Sequence, residues 1–196
     1  MAGMAVALLV PVAWLVGTFP TAVMVARARG RDVLGEGSGN PGASNIGRLL
    51  GWRWGIAVLG IDFAKGAVAA GIGFAIDGRT GGLILGSAAV LGHTFPLVRK
   101  GGKGVATAGG ALTVCYPIVS AALAVVWFVV ARVLRKSSLA SLTITVAFPL
   151  LVLVTGPTAV EFAIIAALAV LIIVLHRENI GRLVRGEEHD IGGRPA

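Results

Sequence analysis

Six long apolar runs constrain the fold of this chain more than any other feature of its sequence. They cover residues 4–26, 55–76, 81–98, 106–131, 139–155 and 158–175. Each run is close to the ~20 residues that an α-helix needs to cross a bilayer. Only 13% of the residues are charged, whereas a soluble domain carries roughly 25%. The sequence therefore predicts an integral membrane protein, and we expect its first run to be a retained helix, because no basic residue precedes it and no small-residue cleavage site follows.

Clusters of basic residues between the runs predict the orientation of the chain. Four of the runs are followed by such a cluster, and basic residues mark the cytoplasmic side of a membrane helix. If every cluster is cytoplasmic, the fourth run must begin and end on the same side, which a single crossing cannot do. The clusters are Arg27, Arg29 and Arg31; Arg99, Lys100 and Lys103; Arg132, Arg135 and Lys136; and Arg177, Arg182 and Arg185.

Pro117 lies within the fourth run and offers a solution. Proline interrupts the hydrogen-bonded ladder of a helix, so we expect a short element up to about Tyr116 and a second one from Pro117 to Val133. The predicted fold is then an all-α membrane protein with seven transmembrane or membrane-embedded helices, its N-terminus outside and its C-terminus cytoplasmic. We expect one domain over residues 1–196, with a flexible tail over 186–196.

In this topology three polar segments, 27–54, 99–107 and 176–196, meet at the cytoplasmic face. Any chemistry must then take place at that membrane surface. The net charge of +8 reflects orientation in the membrane rather than nucleic-acid binding. The single cysteine, Cys115, excludes a disulfide framework and a cysteine-rich metal site. With few carboxylates near the polar segments, we expect no metal and no cofactor.

The segment GHTFPLVRKGGKGVAT, residues 92–107, is suited to an anion. Glycines let backbone N–H groups converge, Lys103 adds positive charge, and a helix beginning behind the loop adds its dipole. The alternative is a basic membrane edge with glycines for helix packing. The Walker pattern does not decide the question, since Gly104 rather than Ser or Thr follows Lys103.

The segment GEGSGNPGASNIGRLLG, residues 35–51, groups hydroxyl, amide and guanidinium side chains. Asn45 and Arg48 share a face if a helix begins near Ser44, which is a good N-cap residue. Arg48 could bind a phosphate through two hydrogen bonds. The alternative is a connector rich in Gly, Ser and Asn.

Two charged residues lie inside the second apolar run. Asp62 and Lys65 are three apart and share a helix face, where they could neutralise each other, or Lys65 could help to line an anion site. We expect His93, near the end of the third run, to have a structural role.

The last segment begins HRENIGRLVRGEEHD. We expect His176 and Asn179 on its inner face and Glu178 and Arg182 on the outer face, paired at i, i+4. The alternative is an amphipathic helix on anionic lipid, which leaves the inner face unexplained. The sequence has no HxxxxD, so acyl transfer by the common His/Asp pair is excluded.

Together these segments resemble a known family. The motifs GSGNPGASNIGR, DFAKG, GHTFPLVRKGGKGVAT, SLAS and HRENIGRL, in this order between apolar runs, are similar to those of the bacterial acyl-phosphate:glycerol-3-phosphate acyltransferases, the PlsY family. The resemblance implies an enzyme of the bacterial inner membrane with a cytoplasmic active site. It would move an acyl group from acyl phosphate to the 1-hydroxyl of glycerol 3-phosphate, giving lysophosphatidic acid and phosphate.

The resemblance also implies a set of site residues. Catalytic roles fall on Ser38, Arg48, Lys103, His176 and Asn179. Contacts to glycerol 3-phosphate fall on Ser38, Asn45, Arg48, His176 and Asn179, and contacts to acyl phosphate on Gly101, Gly102, Lys103, Gly104, Thr107 and Ser141. The resemblance favours proton transfer to a phosphate oxygen of the substrate, with His176 as the rival base. Pro41 and Ser44 differ from the usual first motif, which leaves room for a paralogue with a shifted substrate.

A transporter for an organic phosphate is the opposing function. It would use the same basic loops, but it would need ionisable groups along a path through the membrane. Away from the ends of the apolar runs, only Asp62 and Lys65 are charged. This favours an enzyme at the membrane surface, with membrane lipid around it. The acyl length and the oligomeric state stay open.

Overall fold

The computed structural model describes residues 1–97 and 100–191, and the regular secondary structure of this part of the chain is all helical, without a strand. Arg99 of the predicted basic cluster and residues 192–196 of the predicted tail lie outside the described residues. The helices are α1 (Ala2–Gly17), α2 (Thr21–Arg27), α3 (Ala43–Leu50), α4 (Trp52–Thr94), α5 (Val105–Cys115), α6 (Pro117–Leu134), α7 (Ser137–Val152), α8 (Ala159–Leu175) and α9 (Arg177–Val184), with a 3-10 turn at Leu153–Thr155.

Helix α4 consists of two arms that fold back on each other. Its helical geometry breaks at Asp77 and Gly78, and Gly78 has a φ of +56°, a conformation that favours glycine. The arms then pack backbone to backbone, since a Cβ on Gly73 would overlap the carbonyl oxygen of Gly81. The two predicted apolar runs 55–76 and 81–98 thus become antiparallel neighbours.

The break predicted at Pro117 is confirmed. Helix α5 ends at Cys115, Tyr116 leaves helical geometry, and Pro117 is the first residue of α6. Proline suits that position because it needs no hydrogen-bond acceptor for its nitrogen. The structure therefore contains the short helix that the charge pattern required.

Three turns of the chain meet at one end of the bundle around Glu161. This buried carboxylate lies 3.4 Å from the Arg79 Nε atom and accepts a 3.4 Å hydrogen bond from the Tyr116 hydroxyl. It also closes a capping box with Thr158 at the start of α8. The kink of α4, the α5–α6 break and the start of α8 are therefore at the same end.

Within the described residues, four helical stretches could cross a membrane by length and composition, and five if α8 and α9, bent by 56°, count as one span. Helix α5, with 11 residues, reaches only about 16 Å. It is held closely against α4, because a Cβ on Gly66 or Gly110 would overlap backbone oxygens of the facing helix. A short, buried helix of this kind is tolerated at membrane depth because its ends contact protein.

Candidate active site at the polar end of the bundle

A polar cavity of about 140 Å³ lies at the end of the bundle opposite Glu161. It forms where the segment before α3, the start of α5, the start of α7 and the α8–α9 junction come together. Eight of the predicted site residues line it: Ser38, Asn45, Arg48, Lys103, Gly104, Ser141, His176 and Asn179. Segments separated by more than 130 residues in sequence thus form one site.

Arg48 has a guanidinium group that the protein satisfies only in part. Its Nη2 atom donates to the Ser38 Oγ atom at 3.1 Å and to the Asn45 Oδ1 atom at 3.3 Å. Its Nε atom is buried and has no hydrogen-bond partner among the described residues. A buried N–H without a partner is costly, and an anionic ligand in the cavity would satisfy it.

Asn45 uses its whole hydrogen-bonding capacity within the protein. Its Nδ2 atom donates to the carbonyl oxygens of Val33 and Glu36, and its Oδ1 atom accepts from the Ser38 backbone and from Arg48. An amide side chain has two donors and two acceptor sites, so a direct contact with a ligand would require one of these bonds to break. Asn45 holds Ser38 and Arg48 in place.

Helix α3 begins one residue earlier than the predicted cap. The N-cap is Gly42, and no side chain caps the helix. The prediction that Ser44 is the N-cap is therefore wrong. Since Ser44 lies within the first turn, its side chain is available to the cavity that it lines.

Lys103 is the ammonium group of the site. It donates to the Asn179 Oδ1 atom. Burial and, to a smaller extent, the charge of Arg182 lower the pKa of Lys103 to about 8, while Glu188 opposes the shift. Gly104 follows with a φ of +79°, and α5 begins immediately after it, so the positive end of this helix also points toward the cavity.

The neighbouring predicted site residues Gly101 and Gly102 lie outside the lining of the polar cavity. They lie against the end of α4, where the Gly102 N–H donates to the His93 carbonyl oxygen at 3.1 Å. A Cβ on Gly101 would overlap the carbonyl oxygens of His93 and Thr94, and one on Gly102 would overlap the His93 ring. Glycine is required here for close approach of the loop to α4. Thr107 is fully buried beside Gly66 and also lies outside the cavity lining.

His176 is held in a defined state at the junction of α8 and α9. Its Nδ1 atom lies 2.8 Å from the Ile172 carbonyl oxygen, so we assign the proton to Nδ1, which leaves Nε2 as an acceptor. Burial lowers the pKa of His176 to about 4, against the effect of the Ile172 hydrogen bond. The imidazole is therefore neutral at pH 7. His176 and Asn179 are both buried, which confirms the predicted inner face.

Glu188 is the site residue that the sequence did not reveal. Its Oε1 atom accepts from Ser138 at 2.8 Å and from Asn179 at 2.7 Å, and its Oε2 atom accepts from Arg182 at 2.8 Å. Burial alone would raise its pKa, but these hydrogen bonds outweigh burial and lower it. The predicted pairing of Arg182 with Glu178 is wrong, because Arg182 is directed inward to Glu188.

Residues 187–191 of the predicted tail contact the start of α7. Lys136 pairs with Asp190 at 2.7 Å, and the Ile191 N–H donates to the Arg135 carbonyl oxygen at 2.7 Å. These contacts hold Glu188 over the cavity.

The buried pair inside α4 is present as predicted. The Lys65 Nζ atom lies 2.8 Å from the Asp62 Oδ1 atom. Lys65 is outside the lining of the polar cavity. Asp62 and His93 do line that cavity.

An apolar groove of about 240 Å³ continues from the polar cavity into the bundle. The two spaces share a neck formed by Leu59, Val105, Ala106 and Trp127. At this neck the Trp127 indole donates to the Ser141 Oγ atom at 3.1 Å. Along α6 the groove runs from Trp127 to Ser120, about 10 Å of helix. A linear hydrocarbon chain has the shape and polarity that such a groove accepts.

Within residues 1–97 and 100–191, no group of three or more His, Cys, Asp or Glu side chains is placed to hold a metal ion.

Comparisons with known proteins agree on one family. A family model described as glycerol-3-phosphate acyltransferase matches residues 7–186. A glycerol-3-phosphate acyltransferase of Jannaschia sp. (strain CCS1) is 43% identical over 185 residues, covering 92% of this chain and 90% of that protein. The corresponding protein of Aquifex aeolicus (strain VF5) is 40% identical over 186 residues, covering 92% and 96%.

Two solved structures share the fold over nearly the whole chain. A crystal structure of PlsY (YgiH), an integral membrane glycerol 3-phosphate acyltransferase in its glycerol 3-phosphate form, has a TM-score of 0.91 at 38% identity and covers 96% of each chain. The lysophosphatidic acid form has a TM-score of 0.87 at 37% identity and covers 95% of each chain.

Proposed function

The chain belongs to the glycerol-3-phosphate acyltransferase family, and from this premise we propose that its polar cavity and apolar groove together form the active site. The enzyme transfers a fatty acyl group from acyl phosphate to the 1-hydroxyl of glycerol 3-phosphate, giving lysophosphatidic acid and inorganic phosphate. One observation carries the assignment of the site: a cavity with an unsatisfied Arg48 Nε–H and the Lys103 ammonium opens into an apolar groove.

Glycerol 3-phosphate binds on the Arg48 side of the cavity. Its phosphate accepts a hydrogen bond from the free Nε–H of Arg48 and another from the Ser38 hydroxyl. The neutral His176 accepts a hydrogen bond from a glycerol hydroxyl through Nε2. Asn179, the further predicted contact, also accepts a hydrogen bond from Lys103 and donates one to Glu188. Asn45 acts through Ser38 and Arg48.

Acyl phosphate binds on the Lys103 side. Lys103 and the backbone N–H groups at the start of α5, behind Gly104, hold its phosphate. Its carbonyl group lies at the neck beside Ser141, and its acyl chain lies in the groove. The predicted contacts through Gly101, Gly102 and Thr107 become indirect, because these residues shape the loop and helix that carry Lys103.

The reaction needs positioning and charge stabilisation more than a strong base. The glycerol oxygen attacks the carbonyl carbon, the bond from that carbon to the phosphate oxygen breaks, and the hydroxyl proton passes to an oxygen of the phosphate. A histidine with a pKa of about 4 is a weak base at pH 7. This favours proton transfer to the substrate over His176 as the general base.

For the membrane topology we propose seven transmembrane or membrane-embedded elements in a single domain. They are α1 with α2, the two arms of α4, and α5, α6, α7 and α8. The N-terminus is outside and the C-terminus cytoplasmic. The separation of the Glu161 end from the basic, cavity-bearing end supports this assignment. The active site then lies on the cytoplasmic face of a bacterial inner membrane.

Purified protein incubated with palmitoyl phosphate and labelled glycerol 3-phosphate tests the proposal, and we expect labelled lysophosphatidic acid. Arg48→Lys, which keeps the charge but removes the Nε–H, should raise the KM for glycerol 3-phosphate about tenfold or more. A folded wild-type sample that makes no lysophosphatidic acid would refute the proposal. Uptake of glycerol 3-phosphate into vesicles without that product would support a transporter instead.

A further inference from the structure

A buried polar chain runs from α2 through α4 toward the glycine loop. Asp62 accepts from the Thr21 hydroxyl at 2.9 Å and pairs with Lys65. Lys65 donates to the carbonyl oxygens of Gly17 at 3.3 Å and Phe19 at 3.0 Å. Both charged side chains are at most 6% exposed. Charges buried this deeply persist only when they are paired and hydrogen-bonded.

The chain continues from Lys65 to His93. The Lys65 Nζ atom lies 3.3 Å from the His93 Nδ1 atom. The ammonium has three N–H groups, so its two more distant acceptors, the Gly17 carbonyl oxygen and Nδ1, share one of them. Because an ammonium group only donates, we assign the lone pair of the ring to Nδ1. Donation from Nδ1 to Asp62 is ruled out by the 3.8 Å separation of Nδ1 from the Asp62 Oδ1 atom, which is too long for a hydrogen bond. The ring proton of His93 is therefore on Nε2.

The Nε2 edge of His93 lies against the glycine loop. A Cβ on Gly102 would overlap this nitrogen, and the Gly102 N–H is bound to the His93 carbonyl oxygen. His93 also lines the polar cavity into which Lys103 projects. A ring N–H donor in the lining of this cavity is suited to a phosphate oxygen.

We propose that Asp62 and Lys65 set the tautomer of His93, and that His93 uses its Nε2–H to bind the phosphate of acyl phosphate beside Lys103. This inference rests on the proposed function and adds a donor to its acyl-phosphate site. Asp62 and Lys65 are positioning residues, since they act through His93. A pair that served only to neutralise its own charges would have no such effect on one substrate.

Two substitutions of His93 form a matched test. The glutamine amide reaches the position of Nε2, whereas the asparagine amide reaches only that of Nδ1. His93→Gln should keep the KM for palmitoyl phosphate within about threefold of wild type. His93→Asn should raise that KM about tenfold or more, the loss expected for one hydrogen bond to a charged group, and leave the KM for glycerol 3-phosphate unchanged. Equal changes in both KM values, or a His93→Asn enzyme that matches wild type, would overturn the inference.

The tautomer itself can be observed by ¹⁵N NMR of histidine-labelled protein. The chain has three histidines, and loss of one ring signal in His93→Gln assigns His93. We expect an Nε2–H ring in wild type and a shift toward Nδ1–H in the double variant Asp62→Asn with Lys65→Met. The double variant removes both charges together, so no unpaired buried charge remains to unfold the protein.

The same double variant should raise the KM for palmitoyl phosphate and leave that for glycerol 3-phosphate unchanged. An Nδ1–H ring in wild type would refute the tautomer argument. The activity of the wild-type protein distinguishes failure of the proposed function from failure of the inference about His93. An inactive but folded wild type overturns the proposed function and this inference with it, whereas an active wild type with an insensitive His93 overturns the inference alone.

Discussion

Lys103 gives the enzyme a pH limit on the alkaline side. Its pKa is lowered to about 8, first by burial and then by the charge of Arg182. Only the protonated ammonium can bind a phosphate as a cation. A lowered lysine pKa means that this charge is lost as the pH rises through 8, so binding by the free enzyme should weaken in the same range.

The magnitude follows from the titration curve. At pH 9, one unit above the pKa, about one-tenth of the free enzyme keeps the charge, so kcat/KM for palmitoyl phosphate should fall about tenfold from its plateau. The substrates do not contribute to this fall, because the second pKa of a phosphate group is about 6. In the complex, the bound phosphate raises the pKa of Lys103, so kcat should decline only at higher pH than kcat/KM.

The assay is the rate of lysophosphatidic acid formation from pH 6.5 to 9.5 at constant ionic strength. Lys103→Arg is the control, since a guanidinium group stays charged throughout this range. Its plateau can be lower, but its kcat/KM should not fall near pH 8. A wild-type profile that is flat to pH 9.5, or the same decline in Lys103→Arg, would refute this account of the Lys103 charge.

Three further predictions concern the site and the packing behind it. His176→Gln should keep a near-normal kcat at saturating substrates, and a loss of about a thousandfold would instead identify His176 as an essential base. Glu188→Ala leaves buried donors without an acceptor and should lower the free energy of unfolding by about 3 kcal/mol. Thermal unfolding in detergent measures this, and an unchanged unfolding midpoint would mean that this carboxylate does not hold residues 187–191 in place. Gly66→Ala would push a methyl group into the Thr107 carbonyl oxygen and should lower the free energy of unfolding by about 1–3 kcal/mol. Gly60 has open space around it, so Gly60→Ala should not lower it. Equal effects of the two substitutions would contradict the tight packing of α5 on α4.

The membrane architecture was largely predictable because it depends on composition and a few strong local signals. Apolar length predicts membrane helices, and proline weakens the hydrogen-bonded ladder of a helix. Proline alone does not end a helix here, since Pro11 and Pro149 lie inside α1 and α7. The parity of the basic clusters then required a break in the fourth run, and the structure has it between Cys115 and Pro117. The kink at Asp77 and Gly78 was predictable in the same way, from a polar interruption between two apolar runs.

The contacts within the site were less predictable because they depend on distant segments. The outward placement of Arg182 followed from helical spacing alone, but Glu188 folds back across α9 and competes successfully for that guanidinium group. The only local signal for this was Gly186, which has a φ of +73° just before the acidic pair. For Gly101 and Gly102, the sequence could not distinguish backbone groups that hold an anion from backbone that approaches α4 closely.

Under the proposed function, the two connected spaces explain how one site accepts substrates from both water and lipid. Glycerol 3-phosphate is soluble and needs a charged, polar cavity, whereas the acyl chain gains little by leaving lipid for another apolar space. Affinity for acyl phosphate must therefore come mainly from its phosphate. The hydrogen bonds to this phosphate must then come from Lys103, the start of α5 and, by our inference, His93. The groove serves to align the carbonyl group at the neck formed with Trp127, so substitutions there should change kcat more than KM.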